Sequence, residues 1–248
     1  MLWLWIVLAI IVVLIGSYIL LVWQTVQHSI AVSKLLIAKG SAYTQHPQHP
    51  TIRILVAGES TAVGVGATNT QNSIPGRIGM QYPNTDITNI AVSGARLVDL
   101  LNQLYEHTGE RYGLVLLMIG ANDITHLTPY DAIRTRLSHA LAQADQMGER
   151  VIMLTSGDVG LSPAFKWPVS LLMDRRTRAV RRIFIEEVAM HPNGTYVDLF
   201  HEAHDEIFNT NISRYYAADY FHPSDDGYGV WYEQLRGVLD VYLKAKQV

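Results

Sequence analysis

A parallel α/β sheet covered by helices on both faces, preceded by one apolar N-terminal helix, is the architecture this chain predicts. Three observations carry that expectation. From Thr51 onward, short apolar runs rich in β-branched residues alternate with longer helical stretches, the pattern of strand–helix–strand units building a buried parallel sheet. Leu2 to Trp23 is an almost unbroken apolar run without a charged side chain. Small polar clusters follow the first three apolar runs, where the loops of an open parallel sheet gather around a ligand.

The elements follow in order. At 1.5 Å per residue, about 20 helical residues span a bilayer core, and Leu2–Trp23 is long enough. Trp3, Trp5, Tyr18 and Trp23 lie towards its ends, where amphipathic rings favour the headgroup level. The run is long for the apolar core of a signal peptide, and no Lys or Arg precedes it; Ala31-Val32-Ser33 would be a passable cleavage site, but well beyond the run. Residues 1–25 therefore read as a single-pass membrane anchor, 26–50 as a linker and 51–248 as the functional domain. Val26 to Ala38 can extend the helix, and the paired prolines of Gln45-His46-Pro47-Gln48-His49-Pro50 favour an extended connector. Lys34 and Lys39 follow the helix. The positive-inside rule applied to them points the domain to the cytoplasm, but two cations do not fix the side.

Five strands are expected, at 51–57, 86–92, 114–119, 151–156 and 195–199. Helices are expected near 74–81, 97–106, 129–146, 171–189 and 226–246. The chain has 248 residues, a formal net charge of -3 and no cysteine. That length suits one domain plus an appendage. The slight acidity argues against a nucleic-acid partner, and the lack of cysteine excludes disulfides, thiolate metal sites and a cysteine nucleophile.

Chemistry concentrates in four islands. The first strand runs into Gly58-Glu59-Ser60, the second into Asn89-Ile90-Ala91-Val92-Ser93-Gly94, the third into Gly120-Ala121-Asn122-Asp123; near the C-terminus stands Asp219-Tyr220-Phe221-His222-Pro223-Ser224. A serine hydroxyl is a poor nucleophile until an imidazole takes its proton, and the imidazole needs a carboxylate to fix its tautomer. Ser60, His222 and Asp219 fit those roles. Backbone N–H groups of Ser60 and Gly94 and the side-chain amide of Asn122 fit an oxyanion hole. A strand order of 2-1-3-4-5 would bring the first three islands to one crevice.

These blocks resemble the four motif blocks of the SGNH (GDSL-type) hydrolases, over about residues 52–232. By that resemblance Ser60, Gly94, Asn122 and His222 match the four letters of the family name and Asp219 its acid. The resemblance implies a flavodoxin-like three-layer α/β/α sandwich and ester hydrolysis without metal or cofactor. One departure is Glu59, where the family usually has Asp, followed by Thr61-Ala62. An α/β-hydrolase would also order its triad serine, acid, histidine. It expects G-x-S-x-G, and Ala62 occupies the last place.

Other clusters read as structural. His201-Glu202-Ala203-His204-Asp205 has two histidines at helical spacing but no third ligand at a recognised spacing, so no metal is expected. Arg175, Arg176, Arg178, Arg181 and Arg182 read as a solvated helix face rather than a lipid-headgroup site. The apolar stretch Gly160–Met173 is equally consistent with packing over the sheet and with binding acyl chains. The resulting expectation is a membrane-tethered serine esterase acting on small-molecule or lipid esters. Removal of carbohydrate or cell-wall O-acetyl groups is the enzymatic alternative, and a membrane-anchored binding protein without turnover is the non-enzymatic one.

Overall fold

The structure is a computed structural model, and residues 1–244 are described. A single helix, α1 (Leu2–Lys39), opens the chain. It contains an 18-residue window apolar enough to cross a membrane, none of it buried in the protein. After Gly40 the chain turns along the sheet edge. Gln45 exchanges two backbone hydrogen bonds with Ile87, at 3.1 and 2.7 Å, and its side-chain amide donates to the Thr85 carbonyl at 2.9 Å.

Five parallel strands follow: β1 (Ile52–Gly58), β2 (Thr85–Asn89), β3 (Tyr112–Met118), β4 (Gly148–Leu154) and β5 (Gly194–Val197). Their order is β2-β1-β3-β4-β5, as the sequence predicts. Alternate strand residues serve opposite layers, because side chains on a strand have period two. Leu55, Ala57, Val115, Leu117, Val151 and Met153 pack under α4 (Leu97–Tyr105), α6 (Tyr130–Met147) and α7 (Val169–Ala189). Ile54, Val56, Leu114, Leu116, Ile152 and Leu154 pack under α3 (Ile74–Gln81) and α9 (Asp225–Leu243). The result is a three-layer α/β/α sandwich with two apolar cores.

Helix starts follow local chemistry. The Ser73 and Ser224 side chains cap α3 and α9 by accepting from the N–H of Gly76 and Gly227. Asp225 and Asp226 fill the first turn of α9, where carboxylates favour the positive end of the helix dipole. The second strand ends at Asn89 rather than at Val92: the Asn89 side chain accepts from the Ala91 N–H and donates to the Ala62 carbonyl, while the N–H groups of Ile90 and Val92 still reach the Val56 and Gly58 carbonyls of β1. That turn bends the chain towards Gly94.

Candidate active site

The site lies at the carboxyl ends of β1, β2 and β3. Gly58 pairs with Met118 across β1 and β3. A Cβ at Gly58 would sit 1.9 Å from the Met118 carbonyl oxygen, so only glycine lets the strand end pass so close. Two residues on, Ser60 opens a short helix, α2 (Ser60–Val63). The loop after β2 carries Gly94, with φ of 85° and open space where a side chain would stand. The loop after β3 leads into α5 (Ala121–Thr125), which carries Asn122.

His222 and Asp219 come from a turn before α9. Asp219 closes that turn with its own side chain: Oδ1 accepts from the Phe221 and His222 backbone N–H groups, both at 3.0 Å. Tyr220 sits there at φ 57°, a conformation most non-glycine residues avoid. The turn aims His222 so that Nδ1 meets Asp219 Oδ2 at 2.5 Å and Nε2 meets Ser60 Oγ at 2.8 Å. Ser60 and His222 are 6% and 4% exposed and Asp219 is fully buried. Burial alone would raise the Asp219 pKa, but the His222 hydrogen bond and charge, the Ser33 hydroxyl and the backbone N–H outweigh it and hold the carboxyl at about 2. It is an anion at any working pH, oriented towards the imidazole.

Of the five residues expected from the sequence, Ser60, Gly94, Asn122 and His222 thus line one crevice, with Asp219 buried behind His222. The backbone N–H groups of Ser60 and Gly94 have no acceptor among the described residues. Asn122 is engaged: Nδ2 donates to Glu59 Oε2 at 2.7 Å and to the Ala95 carbonyl at 3.1 Å. Glu59 also accepts from the N–H groups of Ala121 and Asn122, at 3.0 and 3.1 Å. Burial drives its carboxyl up to about 7 against those donors. Asp123 braces rather than lines the site: its Oδ2 accepts from Leu97 N–H at the start of α4.

Three contributors were not expected. Ser33 of α1 donates to Asp219 Oδ2 and Ser29 to the Asp219 carbonyl, each at 2.6 Å. The available signal was a pair of serines four residues apart in the part of α1 beyond the apolar run, where Gln24, Thr25, Gln27, His28 and Lys34 also stand. Arg176, within the arginine run, is buried and donates to the carbonyls of Ile124 and Thr128, pinning the end of α5. Its neighbours Arg178 and Arg181 pair with Glu202 and Asp198. Among the described residues no group of three histidines or acids is arranged to hold a metal ion.

Two cavities meet at Ser60 and His222. One, of about 470 Å³, is walled by Val26, Ile30, Ile37, Ala164, Phe165 and Phe221, with Gly94 and Asn122 also on its surface. The other, of about 40 Å³, lies between Ser60, Asp158, Ser162 and Glu206.

Fold and site together define an α/β/α hydrolase whose chemistry sits at the strand ends. A model of the GDSL-like lipase/acylhydrolase family matches residues 56–230, and the chain belongs to that family. Solved structures agree on the fold. A lipolytic protein of the G-D-S-L family from Veillonella parvula is 18% identical, with a TM-score of 0.59 over 75% of this chain and 97% of that one. TesA is 19% identical, with a TM-score of 0.60 over 77% and 99%. The psychrotrophic esterase EstA from Pseudoalteromonas is 14% identical, with a TM-score of 0.55 over 77% and 98%. No curated protein matches the chain.

Proposed function

We propose that this protein is a membrane-anchored serine esterase that hydrolyses carboxylic esters, lipid or short-chain acyl, through an acyl-enzyme on Ser60. The observation that carries the reading is the continuous Ser60–His222–Asp219 contact, at 2.8 and 2.5 Å, opening onto a largely apolar cavity. Ser60 Oγ attacks the acyl carbonyl carbon while His222 Nε2 takes its proton. Asp219 stabilises the imidazolium that forms. The new oxyanion meets the N–H groups of Ser60 and Gly94, and Asn122 adds a third donor by releasing the Ala95 carbonyl. Collapse breaks the bond to the alcohol, which leaves with the proton from His222. Water then attacks the acyl-enzyme, gives its proton to His222, and the acid departs as Ser60 regains its hydrogen. The small cavity beside Ser60 and His222, which Asp158, Ser162 and Glu206 also line, has the size for a water or two.

Anchoring rests on α1. Residues 1–25 serve as the membrane segment, 26–50 join it to the domain and 51–248 carry the fold. A leader cut near Ala31-Val32-Ser33 would remove Ser29 and with it a bond to Asp219, which favours a retained helix. The test is hydrolysis of p-nitrophenyl esters of graded acyl length by the full chain in detergent, beside Ser60→Ala. Turnover lost in the variant supports the reading. Turnover unchanged in Ser60→Ala contradicts it.

A further inference from the structure

The family match begins at residue 56, yet α1 reaches the centre of the site. One helix face does so, because residues three and four apart stack on the same side. Ser29 and Ser33 bind Asp219, while Val26, Ile30 and Ile37 wall the large cavity over Ser60. The face continues towards the N-terminus. A second apolar groove, of about 370 Å³, runs between Tyr18, Ile19, Val22, Trp23 and Pro168 and shares Val26 with the first. The Tyr18 hydroxyl donates to the Trp167 carbonyl at 2.8 Å, which ties the 160–173 stretch to the helix at the end of its apolar run. Phe165 of that stretch packs edge-on against Phe221, with centroids 6.0 Å apart.

We propose that α1 and the 163–168 segment form the acyl-binding channel of this enzyme, and that a long-chain acyl ester of a membrane lipid reaches Ser60 laterally along the helix from the bilayer. This rests on the esterase reading above and names its substrate class. With the apolar run of α1 in the bilayer, Trp23 stands at its boundary. Ser33 is then about 15 Å further along the helix. The ester carbonyl at Ser60 lies just outside the membrane while its acyl tail remains in an apolar groove that opens into lipid. Trp167, 64% exposed beside Tyr18, lies about 7 Å deeper than Trp23 along the helix, so its apolar ring seats the 163–168 segment in the lipid. The substrate therefore never passes through water with its chain exposed.

Two measurements on the full chain in lipid nanodiscs test this. The first treats the protein with a long-chain alkyl fluorophosphonate bearing a terminal diazirine, followed by irradiation and peptide mapping. Attachment at Ser60 with crosslinks to residues 18–30 is the expected result. Crosslinks confined to the 156–162 and 206–216 segments around the small cavity would overturn it. The second compares Val26→Trp with wild type on dodecanoyl and acetyl p-nitrophenyl esters. Filling the shared wall should lower the dodecanoyl-to-acetyl ratio of kcat/KM by about tenfold, equivalent to displacing roughly two buried methylene groups. An unchanged ratio contradicts the channel. A short fluorophosphonate run alongside separates the two claims: if it fails to label Ser60, the esterase reading falls first and the channel with it.

Discussion

Ser33→Ala removes one hydroxyl that lies outside the family's matched region and touches no substrate atom in the scheme above. Its effect can be worked out from Asp219. That carboxylate is fully buried and accepts four hydrogen bonds: two backbone N–H groups on Oδ1, His222 Nδ1 and Ser33 Oγ on Oδ2. Two carboxylate oxygens offer about four lone-pair sites, so the acceptor set is full. A hydrogen bond to a charged group contributes about 1.5–3 kcal/mol. Without Ser33 the shared oxygen keeps only the imidazole, and nothing else holds the carboxylate on that side. We expect Ser33→Ala to lose about that much stability at neutral pH and about tenfold in kcat, with KM near the wild-type value. Ser33→Thr keeps a hydroxyl at the same place and should restore most of both. The sign with pH is fixed by Asp219. Its pKa is depressed to about 2 from an ordinary value near 3.9. Its contribution to stability is therefore present above about pH 4 and lost as pH falls through about 2, and the gap between variant and wild type should close over that window. Thermal melts across pH and steady-state kinetics read both effects. A Ser33→Ala enzyme with wild-type kcat and an unchanged melt at neutral pH would refute the reasoning.

Asp219→Asn should lower kcat by about 10,000-fold, the cost of the wrong imidazole tautomer in a serine triad. With oxygen kept on the backbone N–H groups, the new NH2 faces His222 and forces the tautomer that cannot accept the Ser60 proton. Retention of a tenth of the activity would sink that argument. Glu59 has its pKa raised to about 7, so the stability its neutral form contributes is present below about pH 4.5 and lost as pH rises through about 7. Glu59→Gln should therefore flatten that fall in the melting temperature, while loosening Asn122 and reducing kcat; a pH–stability curve unchanged by the substitution would count against it. Arg176→Ala leaves the Ile124 and Thr128 carbonyls without their donor and should lower stability by about 2 kcal/mol. A variant as stable as wild type would mean that Arg176 is dispensable to α5.

The parts of the site legible from the sequence are those whose chemistry is local. Ser60 and Asn122 follow the apolar strands β1 and β3 and Gly94 lies in the loop after β2, and a parallel sheet must send such loops to one end. Asp219 and His222 are three residues apart and share one turn, so their spacing alone suggested contact. What stayed hidden depends on long-range packing. Ser29 and Ser33 lie 190 and 186 residues from Asp219, and no periodicity in an apolar helix says which face docks on a distant domain. The five arginines of α7 look alike in sequence. Burial of Arg176 follows only from how α7 lies against α5. Likewise Asn122 was expected as a free donor, and its engagement by Glu59 and Ala95 needed the fold to bring β1 and β3 side by side. The end of β2 at Asn89 was not legible because apolar character, and main-chain bonds from Ile90 and Val92 to β1, continue past it.

The most direct test of the central claim is phosphonylation of the full chain by a short fluorophosphonate, read by intact mass and peptide mapping. One adduct is expected, on Ser60 within the Gly58-Glu59-Ser60 peptide. It should be abolished in Ser60→Ala and slowed by at least about 100-fold in His222→Ala, where the base is gone. A folded protein that takes no label, or takes it on another residue, would contradict the assignment of Ser60 as nucleophile.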